Sequence, residues 1–153
     1  MRRSLLLCVV LLFGCAKSEP PASQTGGEMA TTTISLADVA GAWTGTVMAA
    51  GSDSVLALIE LTATGEPTGW SMTVTNASDP TKQAVVPATS VVAAGDSVVV
   101  EAGPFQSVLR AGQEVSTHTV YRLQGGNLVG EMTATYPASG EAVALHSVAT
   151  RKP

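Results

Sequence analysis

The chain has 153 residues, 45% of them hydrophobic and only 13% charged, with a formal net charge of −4 at pH 7 and two cysteines. An acidic balance without a basic cluster excludes a nucleic-acid-binding surface and gives no electrostatic attraction to anionic lipid. With so few cysteines the fold is not a disulfide-stapled one, so its stability must come from packing.

Arg2 and Arg3 precede an almost wholly apolar run, Leu5 to Gly14, which breaks at Ala16, Lys17, Ser18 and Glu19. This is the charged start and apolar middle of a secretory signal. About ten apolar residues rising ~1.5 Å each cannot cross a hydrocarbon core of ~30 Å, so the segment targets the chain and is then removed. Its last residues, Leu12-Phe13-Gly14-Cys15, resemble the lipobox of bacterial lipoproteins, in which a small residue precedes the cysteine that is acylated and then freed by cleavage. The resemblance implies a signal peptide over residues 1–14, lipidation at Cys15, and a lipid-anchored protein of the bacterial cell envelope. Cys8 does not compete, because it follows the large Leu7 and would leave almost no apolar run.

With one cysteine discarded and the other acylated, the mature chain has no disulfide and no thiol chemistry. One acyl chain holds a protein only marginally at a membrane, whereas the two or three implied by the resemblance anchor it stably. Ala16, rather than Asp, after the cysteine favours the outer membrane over the inner where a cell has both. Loss of Arg2 and Arg3 leaves six basic residues against twelve acidic ones.

Residues 15–33 hold Pro20, Pro21, Gly26 and Gly27 among Ser, Thr and Gln, the composition of a flexible tether. Residues 34–153 are the size of one domain. Ser35-Leu36-Ala37-Asp38-Val39 predicts a single helical turn with Ser35 as N-cap. Turn clusters rich in Gly, Pro and Asp then recur at the spacing of a strand meander, among them Ala50-Gly51-Ser52-Asp53, Gln124-Gly125-Gly126-Asn127 and Ala138-Ser139-Gly140. They predict strands near 42–49, 54–63, 69–76, 82–92, 97–102, 106–110, 115–123, 128–136 and 142–150, with a turn at Gly103-Pro104.

Alternation sorts these strands into two faces. Trp43, Val47, Val55, Ala57, Ile59, Leu61, Trp70, Met72, Val74, Tyr121, Leu123, Leu128, Met132, Tyr136, Val143 and Leu145 share the inward parity. Thr44, Glu60, Thr73, Arg122, Glu131 and Thr133 represent the polar parity, on which Leu56 and Leu58 also fall. One wet and one apolar face is the mark of an antiparallel sheet. Eight or nine such strands hide their edges completely by closing into a barrel, with a two-sheet sandwich as the alternative. An eight-stranded barrel is just filled by its side chains or admits one small ligand. Ala57, Gly45, Gly130 and Ala134 are small on the inward parity, and the space they leave would be lined by Trp43, Trp70, Met72, Tyr121, Met132 and Tyr136.

Catalytic signatures are missing. His118 and His146 lie on the polar parity without ligand-spaced Asp, Glu or His partners, so neither a metal site nor a general base is expected. There is no nucleophile elbow, phosphate loop or dinucleotide fingerprint, and no cofactor is implied. Asn76-Ala77-Ser78 fits a glycosylation acceptor only as turn composition.

Val39-Ala40-Gly41-Ala42-Trp43-Thr44-Gly45 resembles the Gly-x-Trp start of the calycins, the lipocalin and avidin group of small meander barrels. The resemblance implies a helical turn before the first strand and a Trp plugging one barrel end, often covered by a basic residue from near the last strand. Arg151, on the parity of Val143 and Leu145, is the residue placed to cover Trp43 and close the barrel. The expectation is a non-enzymatic envelope lipoprotein that binds a small apolar ligand or lipid. The alternative is a protein-binding module resembling small periplasmic protease inhibitors, which would use barrel loops toward a partner the sequence does not name.

Overall fold

The computed structural model of the protein describes residues 33–153. The expected signal peptide, the expected lipidation site Cys15 and nearly all of the expected tether lie outside the described residues. The chain opens with α1 (Leu36–Val39), capped by Ser35, whose backbone N–H and hydroxyl both donate to Asp38 Oδ2 at 2.8 and 2.7 Å. Those bonds, the backbone one foremost, hold the Asp38 carboxyl below its ordinary pKa.

Eight antiparallel strands follow in an uninterrupted meander: β1 (Gly41–Ala49), β2 (Val55–Ala63), β3 (Ser71–Asn76), β4 (Gln83–Ala94), β5 (Ser97–Gln106), β6 (Glu114–Gln124), β7 (Asn127–Tyr136) and β8 (Glu141–Arg151). β8 pairs back on β1, from Trp43 opposite Arg151 to Ala49 opposite Leu145, so the sheet closes into a barrel rather than a sandwich. Closure removes the edge problem that an open meander of this length would carry.

The ninth strand, expected at 106–110, does not exist. Gly103-Pro104 does not reverse the chain: β5 runs through it as an irregularity, its pairing passing from Ala102 opposite Thr117 to Phe105 opposite Val115. Proline lacks the N–H a ladder needs, and a bulge is one of the few places a strand tolerates it. Gly103, at φ 107°, has no room for a side chain, since a Cβ there would come within 2.8 Å of Ser116 Cα and Val115 O. Residues 107–113 form a loop instead of a strand.

A second departure comes from a bulge between β1 and β2, where Val47 pairs with Ala57 but Met48 pairs with Val55. One residue is skipped, so the parity inverts there. Val55, expected inside, is 41% exposed, and Leu56, expected on the wet face, packs against the core. Leu123, at the barrel rim one residue from the end of β6, is likewise 40% exposed and not interior.

The remaining alternation is as the pattern demands. Trp43, Val47, Ala57, Ile59, Leu61, Trp70, Met72, Val74, Tyr121, Leu128, Met132, Tyr136 and Leu145 are buried, while Val143 is half-buried. Two of the four small positions leave no space. A Cβ at Gly45 would strike Ala149 and the Val148 carbonyl, and one at Gly130 would sit 2.7 Å from the Tyr121 ring and overlap Ser147. We expect Gly130→Ala to lower the free energy of unfolding by about 1–3 kcal/mol, the usual cost of overpacking, as read from a urea melt.

Candidate functional site

The barrel has two ends of different character. At the base lie α1, the β2–β3 connection, the tight β4–β5 and β6–β7 turns, and the end of β8. Ile34 is tied there by its N–H to the Gly95 carbonyl at 2.8 Å. At the mouth lie the β1–β2, β3–β4, β5–β6 and β7–β8 loops.

The base is solid. Trp43 is fully buried and its indole N–H donates to Val39 O at 2.9 Å, which holds the ring to the helical turn. The Arg151 guanidinium lies 4.3 Å from the Trp43 ring centroid and donates to the carbonyls of Ala40 and Asp38. Trp70 caps the same half, its indole N–H bonded to Glu66 O at 2.9 Å. Tyr121 is sealed beside them, and burial pushes its phenol up to about 12, with the hydrogen bond from Ser147 acting in the opposite direction. A void of about 10 Å³ here lies between Trp70, Met72 and Tyr121 and holds at most one water.

The mouth half is looser. A cavity of about 40 Å³ is walled by Ala57, Met72, Met132, Ala134, Tyr136 and Leu145, room for no more than about three water molecules. Ser107, Thr117 and Tyr136 supply its only side-chain polar atoms. Of the six residues expected to line an interior space, Met72, Met132 and Tyr136 reach this cavity, Trp70 and Tyr121 border the smaller void, and Trp43 is packed within the base plug.

The loop 107–113 roofs the cavity by lowering Val108 and Leu109 into it, beside Phe105 of β5. Its shape is internally set: Ser107 Oγ accepts from the N–H groups of Leu109 and Arg110 at 3.2 and 3.1 Å, and Ser107 N–H reaches Gln113 O at 2.8 Å. Two clasps hold it to opposite walls. Asn76 Nδ2 donates to Val108 O at 2.8 Å, and the Arg110 guanidinium makes a two-pronged contact with Glu141 at 2.6 and 2.7 Å. Arg110 also lies 4.1 Å over the Tyr136 ring. The Glu141 carboxyl is held below its ordinary range chiefly by the Arg110 hydrogen bonds. None of Asn76, Arg110 or Glu141 stands out in sequence as a site residue, because each partner is thirty or so positions away.

Outside this roof an open groove of about 340 Å³ runs along Val55, Leu56, Val143 and Arg110, and it shares Leu109, Tyr136 and Leu145 with the cavity. The histidines stand elsewhere, on the outer wall. His118 Nδ1 lies 3.3 Å from Glu101, and His146 is the register partner of Glu131, carboxylates that strand pairing rather than local spacing supplies. Among the described residues no group of three or more His, Cys, Asp or Glu is gathered as a metal site would need. The basic side chains of the described residues are all engaged: Lys82 with Asp79, Arg110 with Glu141, Arg122 with Asp96, Lys152 with Glu60, and Arg151 on Trp43.

No protein-family profile, characterised protein or solved structure matches the chain.

Tyr121 gives a pH prediction. Its pKa is raised from 10.0 to about 12 in the fold, so the folded state retains a proton that the unfolded chain releases. The contribution is fully present below pH 10 and is lost as pH climbs through that window, by roughly 2–3 kcal/mol in all. In urea melts taken between neutral pH and pH 12, the parent should lose more stability than Tyr121→Phe.

Proposed function

We propose that this chain is a lipid-anchored, non-enzymatic protein of the bacterial cell envelope that holds a small apolar ligand or lipid in a calycin-like barrel. The observation that carries the ligand reading is the apolar cavity under a clasped loop at the mouth, the end opposite to where the chain enters at Ile34. With Cys15 acylated, the base would face the membrane and the mouth would open away from it, toward whatever the protein collects.

The non-enzymatic reading is supported by where reactive groups lie: both histidines are on the outer wall, and the only titratable side chain in the cavity wall is the Tyr136 phenol. Acylation is supported by the Leu12-Phe13-Gly14-Cys15 sequence alone. The cavity as closed is far below the ~300–1,000 Å³ of a site for a drug-sized ligand. Binding therefore requires the loop to lift, the ligand replacing Val108 and Leu109 against Met72, Met132 and Leu145. The same small volume favours the second reading, in which the filled barrel is a scaffold and the mouth loops grip a protein.

Anchoring is tested with labelled palmitate in the producing cell: the parent should take up label and sediment with membranes, and Cys15→Ser should do neither. Ligand capacity is tested by titrating the neutral dye N-phenylnaphthylamine into the full chain and by analysing lipids that co-purify. Ala134→Leu, which fills the cavity, should abolish dye binding while melting as the parent does. A parent that binds no dye and carries no lipid overturns the ligand reading. A stoichiometric protein partner lost on mouth-loop substitution would then establish the second.

A further inference from the structure

Resting on the ligand reading, we infer that the occupant is a single-chain amphiphile with an anionic head, its chain passing beneath loop 107–113 and its head taking the Arg110 guanidinium from Glu141. The groove and the cavity meet at a shared wall. The outer groove and the inner cavity are separated only by Leu109, Tyr136 and Leu145, which belong to both, so one file of apolar side chains runs from the rim into the interior.

The shape of that file selects a slender chain. Among the branched Val and Ile side chains of its inner section, Ala57 and Ala134 leave the space and the unbranched Met72 and Met132 can rearrange around a thin guest. A branched or fused-ring ligand would have to displace the β-strand walls, which the closed hydrogen-bonded ladder resists.

The charge at the rim selects the head. Among the described residues Arg110 is the one cation bordering the groove, beside the uncharged Asn76 and Ser78, and the other mouth cation, Lys82, is engaged with Asp79. The Tyr136 ring holds the guanidinium at the rim by stacking, independently of Glu141. The Arg110–Glu141 pair is partly exposed, with side-chain exposures of 34% and 49%, and pairs of that kind contribute little net stability. A carboxylate or phosphate head can therefore replace Glu141 in the guanidinium fork while the freed Glu141 returns to water. The exchange conserves charge and bond count, and it releases the loop from β8. Head recognition thereby undoes one of the two clasps on the roof, leaving the Asn76–Val108 bond as the other.

Titrating dodecanoate and dodecanol into the full chain, with N-phenylnaphthylamine displacement as readout, tests this. Dodecanoate should bind more tightly than dodecanol. Glu141→Gln should tighten dodecanoate by about fivefold and Arg110→Gln should weaken it by about as much, the scale of one exposed ion pair. Both substitutions break the same clasp, so a loop that was merely loosened would bind every amphiphile better in both variants. Equal affinity for acid and alcohol, or a shift in the same direction in both variants, overturns the inference. Dye binding without displacement by either amphiphile also overturns it and leaves the ligand reading standing. Absence of dye binding in the parent removes that reading itself.

Discussion

Everything in this barrel depends on Trp43 being covered from both sides at once. A meander of strands is a sheet with two unpaired edges until its last strand finds its first, and here the outermost register pair of that seam is Trp43 with Arg151. The indole is fastened to the helical turn through Val39 O, and the guanidinium that lies on it reaches on to the carbonyls of Ala40 and Asp38. One residue at the end of β8 therefore ties together the first strand, the last strand and a helix of four residues that would be unstable alone. Arginine suits the position because its flat, permanently charged group can stack on a ring and still present N–H donors at its rim.

From that plug follows the unequal division of the interior. Two indoles and a phenol fill the base to within a single water, and each carries its polar atom to a partner, so the region is dense and fully satisfied. The mouth half has no indole, and its rings, Phe105 and Tyr136, stand in the wall of the cavity. It is built from alanines, methionines and aliphatic side chains, and its roof is contributed by a connection instead of a strand. Local opening free energy is lowest where exposed hydrogen bonds secure a segment, and loop 107–113 is tied to β8 by the partly exposed Arg110–Glu141 pair.

Much of this was legible from the sequence because a period of two is a local property. The turn clusters placed all eight strands, β5 only as far as residue 102, and the alternation of Trp43 and Val47, or of Ile59 and Leu61, assigned their inner face without knowledge of any partner. What escaped was set by pairing. Val55 and Leu56 exchange roles because the pairing with β1 passes over Leu56, an event visible only when two strands are laid together. Gly103-Pro104 reads as a turn and is a bulge, since whether a proline ends a strand depends on what its neighbour needs from it. The room expected beside Gly130 is taken by Tyr121 from the adjacent strand. The clasp of Asn76, Arg110 and Glu141 joins three separate stretches of chain, and no local spacing marks it.

The first and last strands lie side by side, and the chain both enters and leaves at the base. Connectivity and architecture are consequently separable: a short bridge from Arg151 to Ile34, with a new opening cut at the exposed Gly51 turn, would leave every ladder intact. Such a circular permutant would carry both of its chain ends at the mouth. The tryptophan plug, with no chain end beside it, would become the free pole of the same wall of residues.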